Sequence, residues 1–321
     1  MQNNLGIEIL VDDVLIEKIT QNKARPDVAR DYPNYNSANS SGFHTVIDLT
    51  KLDNGLHKLE ILARSDSSVK NLGFKNFILD KNELLPPRDL QDYVGGGFNV
   101  VGTEFFRYFI DICGLKPNQH VLDVGCGTGR LAVPLIQFLS EGSYEGFDIY
   151  LKAIQWCQNH ISTRYPNFQF SLADIKNDYY NPQGKYLASE FKFPYGDNSF
   201  DLVFLTSVFT HIRPKEVENY VSEISRVLRK NGKCLITFFL INEESTNLIK
   251  QGKGNQKFVY ELDGFFSTRT DIPEFAIAYQ EQAILQLFQK HGIDLDHIYY
   301  GNWCGREKYL SYQDITIGHK P

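Results

Sequence analysis

The densest chemistry in the chain lies in Val121-Leu122-Asp123-Val124-Gly125-Cys126-Gly127-Thr128-Gly129-Arg130. Alternating glycines behind an acidic residue, where a buried strand meets a helix, let the main chain approach a ligand closely and present amide N–H groups to it. The spacing is Gly-x-Gly-x-Gly, and Arg130 occupies the place where a Gly-x-Gly-x-x-Gly dinucleotide fingerprint needs glycine. A nicotinamide-dependent oxidoreductase is therefore disfavoured. Nineteen positions beyond Gly129, Asp148 ends the strand in Gly146-Phe147-Asp148-Ile149. A carboxylate there can accept a bidentate pair of hydroxyls. Asp174, in Leu172-Ala173-Asp174-Ile175, stands at a third strand end, where helix capping is its other reading.

Proton transfer points to His211. It lies just past the fourth strand, at the mouth of the pocket these motifs define, and imidazole accepts a proton near neutral pH. Thr210-His211-Ile212-Arg213-Pro214 also reads as the start of a helix, where the histidine would cap or pack. Glu274, after Pro273, and Tyr279 are the alternative catalytic groups. Trp303 and Arg306, near a strand end, could stack on and hydrogen-bond a polyol or carboxylate, although a packed tryptophan is the commoner outcome. No carboxylate–histidine spacing suggests a metal, and the five scattered cysteines form no C-x-x-C pair, so they read as reduced thiols.

Two kinds of element must position these groups. Ile7, Ile9 and Val11 alternate with polar neighbours, as do Phe43, Ile47 and Leu49 and then His57, Leu59, Ile61 and Ala63, which predicts half-buried strands. Lys51-Leu52-Asp53-Asn54-Gly55 should turn the last two runs into a hairpin. Residues 25–28 and 31–41 read as connections, and the prolines within Asn82 to Arg88 mark a boundary. Beyond it Phe105, Phe106, Phe109 and Ile112 share a helical face. Strands at 121–124, 144–148, 168–172, 202–205 and 234–240 then alternate with helices at 131–140, 151–163 and 216–230. The last helix, with Val217, Tyr220, Val221, Ile224, Val227 and Leu228 on one stripe, should close at Asn231-Gly232. A helix at 280–290 and strands at 294–300 and 313–318 finish the pattern, that of a parallel sheet with helices on both faces.

The motif from Asp123 to Gly129 resembles motif I of the class I S-adenosylmethionine-dependent methyltransferases. Phe200-Asp201-Leu202-Val203-Phe204 and Leu228-Arg229-Lys230-Asn231-Gly232-Lys233 resemble that family's fourth strand and the turn before its fifth. Residues 92–319 share the likeness. Tyr180-Asn181-Pro182, Ser207-Val208-Phe209-Thr210-His211, Gly301-Asn302-Trp303-Cys304 and Gln313-Asp314 resemble a bacterial branch found near glycan and secondary-metabolite genes. The resemblance implies a doubly wound Rossmann-like α/β sheet with its last strand antiparallel. It also implies that S-adenosyl-L-methionine is held by Asp123, Gly125, Cys126, Gly127, Gly129, Asp148, Ile149, Asp174, Ile175 and Thr206. Segments 176–193 and 242–279 exceed the simplest core and follow strand ends on the ligand side, so they are expected to form a substrate lid. Residues 5–66 look like the small β-sandwich modules beside bacterial glycosyltransferases. The implied division is a β-rich module at 1–80 and a methyltransferase domain at 81–321.

A chain of 321 residues allows such a division, and its net charge of −6 offers no general attraction to nucleic acid or anionic membrane. Acidic residues break up the first twenty positions, so no signal core is read there, and a soluble cytoplasmic protein is expected. With 23 Phe and 18 Tyr the chain can line a pocket for a planar or sugar-like ligand, or pack an aromatic core. The expected partner is a small molecule or glycan, O-methylated on a hydroxyl. N-methylation, a non-sugar acceptor, or a catalytically silent cofactor- or glycan-binding protein are the other readings. The N-terminal module serves glycan binding, or stability and dimerisation, which allows a homodimer.

Overall fold

The structure, a computed structural model, describes residues 6–20, 23–34, 42–43, 45–49, 51–53, 55–65, 68–79 and 84–321. The chain divides into two compact units, Met1–Glu83 and Leu84–Pro321.

In the first unit β1 (Gly6–Val11), β2 (Val14–Thr20), β3 (Gly55–Arg64) and β4 (Val69–Leu79) form one antiparallel sheet in the order β2-β1-β3-β4, with α1 (Pro26–Asp31) between β2 and β3. Asp12 and Asp13, both at positive φ, make the two-residue turn between β1 and β2. Ile7, Ile9 and Val11 are buried, as their alternation predicts. The expected strand at Phe43–Leu49 is absent: among its described residues there is no strand, and Gly42 makes only an isolated bridge to Lys23. The reason is geometric. A strand has two hydrogen-bonding edges, and those of β3 are taken by β1 and by β4, the latter from Gly55↔Leu79 to Arg64↔Val69. Asn54 of the expected turn, and residues 35–41 and 82–83 of the expected connections, lie outside the described residues. The described residues form a single sheet rather than a two-sheet sandwich.

The second unit runs α2 (Arg88–Val94), α3 (Phe98–Asp111), β5 (His120–Val124), β6 (Ser143–Asp148), α4 (Leu151–Cys157) and β7 (Phe168–Leu172). The short strands β8 (Ile175–Lys176) and β9 (Tyr186–Leu187) follow, then β10 (Phe200–Leu205), α5 (Pro214–Val227) and β11 (Leu228–Phe238). Next come β12 (Leu240–Ile241), α6 (Glu243–Lys250), β13 (Tyr260–Leu262), β14 (Phe265–Ser267) and β15 (Ile277–Gln280). The chain ends with α7 (Glu281–Lys290), β16 (Asp294–Tyr299) and β17 (Asp314–His319).

Seven strands form the main sheet in the order β16-β17-β11-β10-β5-β6-β7. β11, β10, β5, β6 and β7 are parallel, and β17 is antiparallel to both β11 and β16. The strand order reverses between β5 and β10, which opens a crevice beyond their C-terminal ends. This is the mixed α/β, Rossmann-like sheet with an antiparallel last strand that the sequence implies.

Three helices differ from expectation, the one at 151–163 because α4 ends at Cys157 and the chain continues as a π-helical turn, Gln158–Ser162. After the glycine run, residues 131–140 form tight turns around a 3-10 segment, Val133–Leu135, where Pro134 supplies no N–H to a regular helix. α5 stops at Val227 because Leu228 already pairs with Phe200 of β10, and Asn231-Gly232 falls in the irregular start of β11. The apolar stripe of α5 is buried on the sheet, and a carboxylate oxygen of Glu216 accepts the Arg213 N–H at its start.

Segment 176–193 carries the parallel pair β8 and β9, and segment 242–279 builds a second small sheet, β12-β15-β14-β13. Asp314, fully buried, ties that region to the main sheet. It accepts from the N–H groups of Leu240 and Gly301, from Trp303 Nε1 and from the Arg306 guanidinium. Trp303 and Arg306 are thus interior structure rather than a polyol contact: Arg306 also reaches Glu244 at 2.8 Å, and its guanidinium lies over the Tyr300 ring. The five cysteines are free and buried. No helix among the described residues is long and apolar enough to cross a membrane.

Candidate active site

A cavity of about 260 Å³ opens at the C-terminal ends of β5, β6 and β10. Its floor is the glycine run. Gly125 and Gly127 sit at φ +82° and +52°; a Cβ on Gly125 would lie 2.3 Å from Val208 and one on Gly127 2.7 Å from Val94. Glycine is required at both positions because protein closes over the loop. Asp148 ends β6 with one carboxylate oxygen accepting the Gly127 N–H at 2.8 Å and the other the Tyr150 N–H at 2.9 Å. Burial pushes its carboxyl above the ordinary carboxylate range, and the backbone donors oppose that shift. The Ile149 N–H and the Tyr93 hydroxyl act on the carboxylate in the same sense.

Asp123, at 0% exposure, takes the Tyr144 hydroxyl on Oδ2 at 2.6 Å, while Oδ1 has no partner. Burial, against the Tyr144 bond and reinforced by Asp148, pushes its carboxyl up to about 7. A buried, unpartnered acceptor in a cavity wall is a group left for a ligand donor.

α2 covers this half of the cavity. Tyr93 stacks on Tyr150 with centroids 4.3 Å apart and stands beside the Asp148 carboxylate. The glycines at 95, 96 and 97, all at positive φ, turn the chain out of α2. From the floor, Arg130 donates to the carbonyls of Val94 and Gly95 at 2.9 and 2.7 Å. Arg130 therefore straps the covering helix to the glycine loop.

The opposite half is organised around His211, which ends a 3-10 turn after β10. Its Nδ1 faces the Glu274 carbonyl at 2.9 Å. A carbonyl only accepts, so this nitrogen carries the proton and Nε2 is left as the acceptor. Burial holds the imidazole below its ordinary pKa, against the Glu274 and Phe275 carbonyls, so the ring is neutral at pH 7. Asn177 binds the main chain of His211: Nδ2 donates to the His211 carbonyl at 2.9 Å, and Oδ1 accepts from the N–H groups of Tyr179 and Tyr180. That places Tyr180 edge-on to the His211 ring, centroids 5.2 Å apart, and edge-on to Tyr93 at 5.8 Å. Ser207, strained at φ +59°, is held by the Thr237 hydroxyl and by Gln313.

Asp123, Gly125, Cys126, Gly127, Asp148, Ile149, Ile175, Thr206 and His211 all border the cavity. Four expected site residues do not. Gly129 packs under the loop against Ile161 and Cys157. The Asp174 carboxylate turns away to Lys185 at 3.3 Å. Glu274 is buried behind His211, with its carboxylate on Arg213 at 2.6 Å, and the Tyr279 hydroxyl donates to the Ile212 carbonyl. Both pack behind His211 and neither borders the cavity. Tyr93, Arg130 and Asn177 escape sequence reasoning; the glycine triplet after Val94 is the one signal that could have drawn attention to α2, whereas nothing in the sequence marks Asn177.

Over residues 115–292 the chain matches the family described as a methyltransferase domain. The chain belongs to this family. Its domain is similar to phosphoethanolamine N-methyltransferase of Triticum aestivum, 28% identical over 148 residues, 44% of this chain and 25% of that protein. It is also similar to malonyl-[acyl-carrier protein] O-methyltransferase 1 of Ilyobacter polytropus, 25% identical over 156 residues, 47% of this chain and 51% of that protein. The chain thus spans between a quarter and half the length of these curated relatives. The methyltransferase sheet is shared with a solved Pyrococcus horikoshii OT3 protein at a TM-score of 0.50 and 16% identity, over 72% of this chain and 95% of that one.

Proposed function

We propose that the protein is an S-adenosylmethionine-dependent methyltransferase that methylates the hydroxyl oxygen of a sugar, glycan or other polar small molecule. The observation that carries the oxygen acceptor is His211: a neutral imidazole whose Nδ1 proton is fixed on a carbonyl and whose Nε2 is the free base. The cavity's groups fit the cofactor. Asp148, at the end of β6 beside the Tyr93 hydroxyl, presents a carboxylate to the ribose hydroxyls, the unpartnered Asp123 Oδ1 suits a cationic donor, and Gly125 and Gly127 border the cavity. When bound, S-adenosylmethionine supplies an electrophilic methyl on a sulfonium whose leaving group is neutral.

The protein then has no departing anion to stabilise, and its main work is orientation, worth roughly 7–11 kcal/mol in a well-aligned pair. α2, strapped by Arg130, excludes water from one side. Asn177, Tyr180 and Glu274 fix the imidazole on the other. As the acceptor hydroxyl is methylated, its proton would pass to His211 Nε2, and the imidazolium would return it to water. The relatives methylate nitrogen, carbon or oxygen by name, so their likeness does not choose the atom; the neutral His211 imidazole supports oxygen.

The test is His211→Ala assayed by transfer of labelled methyl to hydroxyl acceptors. Turnover should fall about 10²- to 10⁴-fold. In the unsubstituted protein the rate should hold as pH falls through the ordinary imidazole range, because the base form persists to lower pH. Full turnover by the variant would leave an amine acceptor, and a silent binding protein would bind S-adenosylhomocysteine without turnover of any acceptor.

A further inference from the structure

We propose that α2 is a hinged cover over the cofactor half of the cavity, latched by Arg130, and that cofactor enters and leaves when the latch opens. The inference rests on the methyltransferase reading and adds a positioning residue to it. Pockets for drug-sized ligands enclose about 300–1,000 Å³. This cavity, at about 260 Å³, has to take S-adenosylmethionine with an acceptor beside it. One of its walls must therefore move.

The walls differ in what holds them. Segment 176–193 is pinned from α5: Asn219 Nδ2 donates to the carbonyls of Ala188 and Phe191, and a Glu223 carboxylate oxygen accepts the Phe193 N–H. Ala188 and Phe193 are buried as well. The turn after β10 is fixed at Ser207 by Thr237 and Gln313. α2 is held more lightly. Leu90 is its one buried side chain, whereas α3 buries Phe98, Phe105, Phe106 and Phe109. Between the two helices stand Gly95, Gly96 and Gly97, all exposed, at φ +62°, +68° and +79°. A helix with little buried apolar surface, joined through three consecutive glycines, is the wall that can swing.

What closes this wall comes from the floor. Arg130 Nη1 donates to both the Val94 and the Gly95 carbonyl, and its buried Nε has no partner. Both bonds have a charged donor, and both are lost when α2 lifts. Val94 rests on the glycine loop, so that a Cβ on Gly127 would meet it at 2.7 Å, and Tyr93 stacks on Tyr150 with its hydroxyl toward Asp148. Lifting α2 thus uncovers Gly127 and the Asp148 carboxylate together. Because the latch is made to main-chain carbonyls of the cover and not to the ligand, it weighs on entry and exit alike.

The experiment follows S-adenosylhomocysteine binding to the full chain by surface plasmon resonance, with amide hydrogen exchange measured alongside. Arg130→Met keeps the bulk of the side chain and cannot donate. It should raise the association and dissociation rate constants together, each by roughly tenfold, and leave the affinity within about threefold. Arg130→Lys restores a charged donor and should fall between the two; if the Met variant does not fold, the Lys variant carries the same comparison. Exchange of residues 88–97 should quicken in both variants, with residues 98–111 unchanged, and should slow in the unsubstituted protein when the ligand is saturating. A dissociation rate that rises while association stays the same makes Arg130 a ligand contact and overturns the proposal. Unaltered rate constants overturn it too, as does unaltered exchange of residues 88–97. If S-adenosylhomocysteine does not bind at all, the methyltransferase reading falls, and the exchange of residues 88–97 in the two variants still decides the latch.

Discussion

The two halves of the cavity are built in opposite ways. The cofactor half comes from Asp123 to Tyr150, the ends of two adjacent parallel strands and the loop between them, and its contacts are mostly to main-chain N–H groups. The acceptor half is assembled from Asn177, Tyr180 and His211, with Glu274 behind the imidazole, contributed by separate segments that meet through side-chain bonds to main-chain carbonyls and an edge-on ring contact. The first half inherits its precision from sheet register. The second depends on two insertions closing on one histidine, so its parts can vary without disturbing the sheet. A fold of this kind keeps its cofactor chemistry and exchanges its acceptors.

Substitutions should therefore separate the halves. The largest effect on binding is expected from Asp148→Ala, which removes the ligand acceptor and leaves the Gly127 and Tyr150 N–H groups unpaired. Charge-assisted hydrogen bonds are worth about 1.5–3 kcal/mol, roughly a 10- to 150-fold loss of S-adenosylhomocysteine affinity by calorimetry. His211→Ala should leave that affinity within twofold. Equal losses in both variants would show the halves to be one unit. A smaller effect is expected from Asn177→Ala, which strands the His211 carbonyl and two amides of segment 176–193. About 1–2 kcal/mol of positioning should be lost, a 5- to 30-fold fall in kcat/KM, with cofactor affinity retained. A loss of cofactor affinity instead would place Asn177 in the other half.

The same contrast explains what was legible in the sequence. The glycine run, Asp148 and the strand–helix alternation are local patterns, and the sheet follows from them because parallel strands with crossover helices have few arrangements. His211 was legible through its place after β10. The strand-end position of Asp174 says nothing about which way its carboxylate turns, and the structure sets that carboxylate beside Lys185 and Asn181. Glu274 and Tyr279 are polar groups at the end of segment 242–279, and only tertiary packing shows them lying behind His211. In the first unit the alternation of Phe43, Ile47 and Leu49 is a real pattern defeated by competition, since β4 takes the remaining edge of β3. Local period predicts the wish to pair; the number of free edges decides who does.

The smallest expected effect probes the cofactor half through pH. Asp123 holds its proton up to about pH 7 in the folded protein, whereas an ordinary aspartate releases it near 3.8. The folded state thus binds more protons between these values, and the stability of the ligand-free protein should fall as pH rises across that window. A ligand bringing an ammonium group favours the ionised form, so S-adenosylhomocysteine affinity should rise with pH, by a little under tenfold between about pH 6 and 8 for one group titrating near 7. Asp123→Asn keeps an acceptor for the Tyr144 hydroxyl and removes the titration, so its affinity should be flat over the same range. The two profiles, measured by calorimetry, separate the unpartnered Oδ1 as a ligand contact from a carboxylate buried only to hold Tyr144, for which the slopes would coincide.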